Sequence, residues 1–144
     1  MTNVFILDYE VRLRNWAALR NKIIDAEPKE KYIEIDNFWQ GVPLSNHYLH
    51  PDFIKDWPNP WQLLSDNNYC YYARALGIFY TLVLLGITDI QIAEAKDDNS
   101  NDVVIVIVDG YILNYWPNSV TSVSIENFSN LQYLNIEVLY TKIN

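Results

Sequence analysis

Cysteine, methionine, histidine and glycine are all scarce: one, one, two and four residues among 144. A single thiol excludes an intramolecular disulfide framework and a cysteine-rich zinc site. Four unclustered glycines exclude a glycine-rich phosphate loop, and neither a Ser-His-Asp order nor a GxSxG elbow occurs. Basic residues are few as well. Ten Lys and Arg against eighteen Asp and Glu leave a net charge of −8 and a pI near 4.5. Neutralising phosphates requires clustered cations, so no nucleic-acid partner is expected. The longest apolar run, residues 75–87, falls short of the roughly 20 needed to cross a bilayer, and Asp8 and Glu10 interrupt any leader-like stretch. No membrane partner is expected, and a cytoplasmic location follows.

What is abundant is apolar and aromatic: 50% and 15% of the chain. That is ample for one packed core, and the length suits a single domain of about 100–150 residues. Its expected parts are a helical cap at 1–45, a proline-rich loop at 46–61, a central helix at 62–86 and an antiparallel sheet at 87–144.

Val4 to Leu7 reads as a short strand or a lead-in. From Asp8 to Ala26, Leu13, Trp16, Leu19 and Ile23 recur at helical spacing, and Glu27-Pro28 ends the helix. Lys31 to Phe38 (KYIEIDNF) alternates enough to predict a strand. Residues 41–61 hold four of the six prolines, which predicts a long loop with one turn of helix at 52–56. Tyr48, Leu49, Phe53, Trp57 and Trp61 are its candidate pins.

Next comes WQLLSDNNYCYYARALGIFYTLVLLG, apolar on nearly every side. It predicts a buried central helix, with Ser65, Asp66 and two asparagines as N-cap candidates and Gly86 as the C-cap glycine. Four β-type runs follow: Ile87–Ala95, Val103–Val108, Tyr111–Trp116 and Leu134–Tyr140, with a short one at Ser119–Ser124. The continuous VVIVIV predicts a strand covered on both faces. DDNSND (97–102) reads as a hairpin tip and Asp109-Gly110 as a tight turn. Helices first and strands last define an α+β class.

Cys70 falls in the first turn of the central helix, where oriented N–H groups and the macrodipole favour a thiolate, and Arg74 stands one turn on. That position suits a nucleophile. Packing is the simpler role for a lone cysteine. His47 and His50, in HYLHPD with Asp52, offer a base for Cys70 or a metal cluster. The metal spacing is unspecific, and DDNSND lacks the glycine and glutamate of a calcium loop. Neither a metal nor another cofactor is expected.

Residues 59–87, followed by VVIVIVDGYILNYW (103–116), resemble the transglutaminase-like cysteine peptidase group of the papain-like superfamily. The resemblance covers roughly residues 57–116. It implies a cysteine at the N-terminus of a helix packed on an antiparallel sheet, then a strand carrying histidine and a strand carrying aspartate. The family's Gly-Asp before the cysteine is Asn68-Tyr69 here, and a register anchored on Tyr72-Ala73 puts Tyr69 at the nucleophile position. The histidine strand opens Asp102-Val103, and no histidine follows residue 50. Asn114 takes the aspartate's place.

Two functions follow. One is a non-catalytic binding or assembly module whose partner is a protein or a second copy. Its candidate contacts are Trp39, Tyr48, Trp57, Trp61, Tyr69 and Tyr71, with Arg74, Asp102, Tyr115 and Trp116 beyond them. The other is a cysteine hydrolase or acyltransferase, with Cys70 as nucleophile, His47 or His50 as base, and Asn114 or Asp52 as orienter.

Overall fold

The computed structural model describes residues 3–45 and 49–143. Four α-helices precede a four-stranded antiparallel sheet, the α+β arrangement expected.

Residues Val4–Ile6 form a single 3-10 turn, and α1 runs Tyr9–Ile23, burying Trp16, Leu19 and Ile23. The strand expected at 31–38 is instead part of a helix, α2, Pro28–Trp39. Pro28 does not merely stop α1. It occupies the first turn of α2, where its missing N–H is no loss. Tyr32, Ile35, Asp36 and Trp39 then fall at i, i+3, i+4 and i+7 and form the buried stripe. The β-branched alternation of YIEI is overridden by that longer period.

The proline-rich segment contains the expected helical turn, a 3-10 stretch at Pro51–Asp56. Trp57 pins it: the ring is buried and Nε1 donates to the His50 carbonyl at 2.9 Å. Leu49 packs against the core, Phe53 and Trp61 are exposed, and Tyr48 lies outside the described residues.

The expected single helix over 62–86 is two. Helix α3, Pro60–Asp66, is opened by an Asn59–Gln62 capping box and closed by Asn67 in the left-handed region. Helix α4, Tyr71–Leu84, has Cys70 as its N-cap, one residue ahead of the first turn, and none of the polar side chains proposed as caps serves it. Its end is as expected. Gly86 takes φ +81°, its N–H reaching the Val83 carbonyl and that of Ile87 the Leu82 carbonyl, which is a Schellman closure. From Ala73 to Leu82 every residue of α4 is buried.

The sheet has order β3-β2-β1-β4, with β1 at Ile90–Lys96, β2 at Asp102–Val108, β3 at Tyr111–Leu113 and β4 at Ser129–Tyr133. DDNSND closes the β1–β2 hairpin, and Asp109 and Gly110, both at positive φ, make the β2–β3 turn. As VVIVIV implies, β2 is covered on both sides. Val104, Val106 and Val108 face the helices, while Ile105 joins Ala93, Ala95, Ile112 and Phe128 in a second cluster. Two expected strands are absent. Residues 119–124 are turns, and Leu134–Tyr140 falls mostly in a 3-10 stretch, Glu137–Lys142, where Leu139 is buried and Tyr140 packs on Phe79. The fourth strand is the polar SNLQY, whose composition carries no β signal.

Candidate functional site

Pairing register puts Ile90, Ile92, Glu94 and Lys96 of β1 opposite Val108, Val106, Val104 and Asp102 of β2. Alternate residues share a face, so all eight look toward α4. Ile90, Ile92, Val106 and Val108 are apolar and lie under the helix. Beyond them α4 has ended, and the same face turns polar with Glu94, Lys96 and Asp102. A cavity of about 950 Å³ opens there. Cys70, Tyr71 and Tyr72 wall it at the helix mouth, Leu44 and Leu49 on the loop side, and Gln132 on β4.

Cys70 is nearly enclosed, 8% exposed, with Sγ at 4.0 Å from the Leu49 carbonyl oxygen. Tyr72 donates its hydroxyl to Glu94. Burial raises the phenol well above its ordinary range, and Glu94 then adds to the shift, with smaller contributions from Cys70 and Asp52. Thiol, phenol and carboxylate therefore share one end of the cavity. At the rim, Lys96 pairs with the largely exposed Asp102 at 2.8 Å.

The other catalytic candidates lie apart. His50 caps the 3-10 stretch: Nδ1 accepts the Asp52 N–H at 3.1 Å, and the ring packs on Phe53 at 5.5 Å. It does not line the cavity. Asp52 stands 3.6 Å from that same nitrogen, exposed. His47 lies outside the described residues. Asn114, at φ +70° just past β3, is wholly enclosed in a polar node. Its N–H donates to Asp36 at 2.8 Å, and its Nδ2 donates to the carbonyls of Val104 at 2.8 Å and Tyr71 at 3.1 Å. Its Oδ1 accepts from Arg74 Nε at 2.5 Å. Arg74 is thus held on Asn114, with its guanidinium 5.3 Å from the Tyr71 ring. Burial raises the Asp36 carboxyl pKa, while the Asn114 N–H, Gln40 and Arg74 pull it back.

Of the binding candidates, Trp39, Trp57, Tyr69 and Arg74 are buried, the three aromatics in the core, so their role is packing and support. Trp61, Tyr71 and Trp116 are exposed, and Tyr115 bonds Asp97 through its hydroxyl at 2.7 Å. Glu94, Tyr72, Gln132 and Asp36 were not legible as site residues from local motifs. One signal was present: the α4-facing positions of IQIAEAK change from Ile to Glu and Lys, marking where helix cover ends.

No group of three His, Cys, Asp or Glu side chains converges among the described residues, and no helix there is long and apolar enough to cross a membrane. Compared with protein-family models, with curated proteins and with solved structures, the chain matches none.

Proposed function

We propose that the chain is a non-catalytic binding or assembly module on a transglutaminase-like scaffold, with the cavity at the mouth of α4 receiving a protein partner. The scaffold reading is supported by a cysteine at the N-cap of a buried helix that packs on an antiparallel sheet. One observation carries the non-catalytic reading: Asn114, in the place of the orienting aspartate, has its N–H, Oδ1 and Nδ2 all engaged by Asp36, Arg74, Val104 and Tyr71. A residue so enclosed serves the fold: both Nδ2 hydrogens are spent on backbone carbonyls, and Oδ1 faces a buried guanidinium rather than a base. A cysteine hydrolase or acyltransferase with Cys70 as nucleophile and His47 or His50 as base is the second reading, favoured by Cys70 lining the cavity.

Alkylation of Cys70 from pH 5 to 8, run beside turnover of a panel of activated esters and amides, separates the two. Slow labelling that accelerates only on unfolding, with no turnover, is expected. Rapid labelling at a rate independent of pH, with turnover abolished in Cys70→Ala, overturns the proposal.

A further inference from the structure

Glu94 lines the cavity and forms no ion pair among the described residues; its partner is the Tyr72 hydroxyl. The nearest lysine on its strand, Lys96, is already paired with Asp102. A phenol hydrogen bond satisfies one oxygen of a carboxylate but leaves its charge uncompensated. Around it, Leu44, Leu49 and Val104 offer apolar wall. That combination, apolar wall beside a carboxylate without an ion pair, suits the stem and head of a lysine or arginine side chain.

The second half of the argument is an edge. β4 is the outermost strand, and among the described residues no strand pairs on its far side. Its Asn130 takes φ +55° where the register with β1 shifts between Glu94 and Lys96, so that end of the edge is kinked. Residues 131–133 remain regular and mostly exposed, with Gln132 opposite Glu94. An extended segment added beside them would lie about 4.8 Å beyond β4 and roughly 10 Å from β1. Its alternate side chains would point over Gln132 toward Glu94, a span suited to the long basic stems. A net charge of −8 favours a basic partner and opposes a second copy of this chain.

We infer that the β4 edge and the cavity together bind an extended basic peptide segment of a protein partner, with a lysine or arginine side chain seated on Glu94. The inference rests on the binding-module reading above.

The test is fluorescence anisotropy with labelled octapeptides that differ only at a central Lys, Arg, Gln or Glu. Lys and Arg peptides are expected to bind at least about tenfold tighter than Gln or Glu peptides, weakening as salt rises. Glu94→Gln, which keeps shape and an acceptor for Tyr72, should remove that tenfold preference, whereas Glu30→Gln, exposed in the first turn of α2 and outside the cavity, should leave it. N-methylation of alternate peptide amides should weaken binding to the wild-type protein, an outcome independent of whether any variant folds. Equal binding of Gln or Glu peptides overturns the cation site while leaving the binding module standing. Free lysine or a polyamine binding as tightly as the peptide, or concentration-dependent dimerisation that blocks the peptide, overturns the peptide reading. Cys70-dependent cleavage or acylation of the peptide overturns the non-catalytic module itself.

Discussion

Trp39 lies flat against Gly77, its Cε3 and Cη2 atoms 2.6 Å from where a Cβ on that glycine would stand. The contact sets the approach of α2 to α4 and is a backbone-to-ring fit that only glycine permits. Gly77→Ala is expected to cost about 3 kcal/mol or more in urea unfolding, because a buried ring has nowhere to move. Gly86→Ala is the matched control: nothing lies within 4 Å of its Cβ site, and its φ of +81° carries only backbone strain. A loss of about 1–2 kcal/mol is expected there. Equal losses at the two positions would refute the steric reading of Gly77.

One hydroxyl holds two indoles. Thr81 Oγ1 accepts from Trp16 Nε1 and Trp39 Nε1, each at 2.9 Å, and donates to the Gly77 carbonyl at 2.7 Å. Thr81→Val keeps the shape and strands two buried N–H donors. The expected destabilisation is about 2–4 kcal/mol. Thr81→Ser, which keeps the oxygen, should recover most of it, and a Val variant as stable as wild type would show that the indoles find other acceptors.

Asn114 distinguishes a structural node from a catalytic orienter. Asn114→Ala keeps the backbone N–H on Asp36 but removes the Oδ1 acceptor of the buried Arg74 and the Nδ2 donor of the Val104 and Tyr71 carbonyls, and is expected to lower stability by about 2–4 kcal/mol. An orienter's loss would instead reduce turnover while leaving the unfolding midpoint in place. Denaturant titration of the variant reads the difference directly.

Asp97 gives the hairpin a signature at acid pH. Its carboxylate accepts from the Tyr115 hydroxyl and from the N–H groups of Asn101 and Asn99, and these bonds, that of Tyr115 first, lower its pKa. A lowered folded-state pKa contributes stability that is full above the unfolded value, about 4, and is lost as pH falls through the folded one. Asp97→Asn should therefore be less stable than wild type at pH 7, and the gap should narrow below about pH 4. A gap that is constant with pH would remove the carboxylate from the account.

Asp36 runs the opposite way, and the contrast shows why local sequence hid the site. Asp97 is bonded by hairpin neighbours two and four residues on, and the tip was plain in DDNSND. Asp36 meets Asn114 across 78 residues, and Tyr72 meets Glu94 across 22. No window contains both members of such a pair. KYIEIDNF likewise looked β-like, because its buried stripe becomes visible only when Trp39 has Gly77 to pack against.

By itself the sequence determined the features written in local chemistry: the all-apolar run of α4, the glycine that closes it, the doubly covered β2 and the two polar turns beside it. These follow from hydrophobic period and backbone freedom, which a few neighbouring residues fix. Tertiary structure alone decided that α4 begins only at Tyr71, that Cys70 merely caps it, and that Asn114 belongs to the core. It also decided that Glu94 looks into open space. Each of these depends on where a helix stops relative to a sheet face, and that offset is set by packing and strand register over the whole chain.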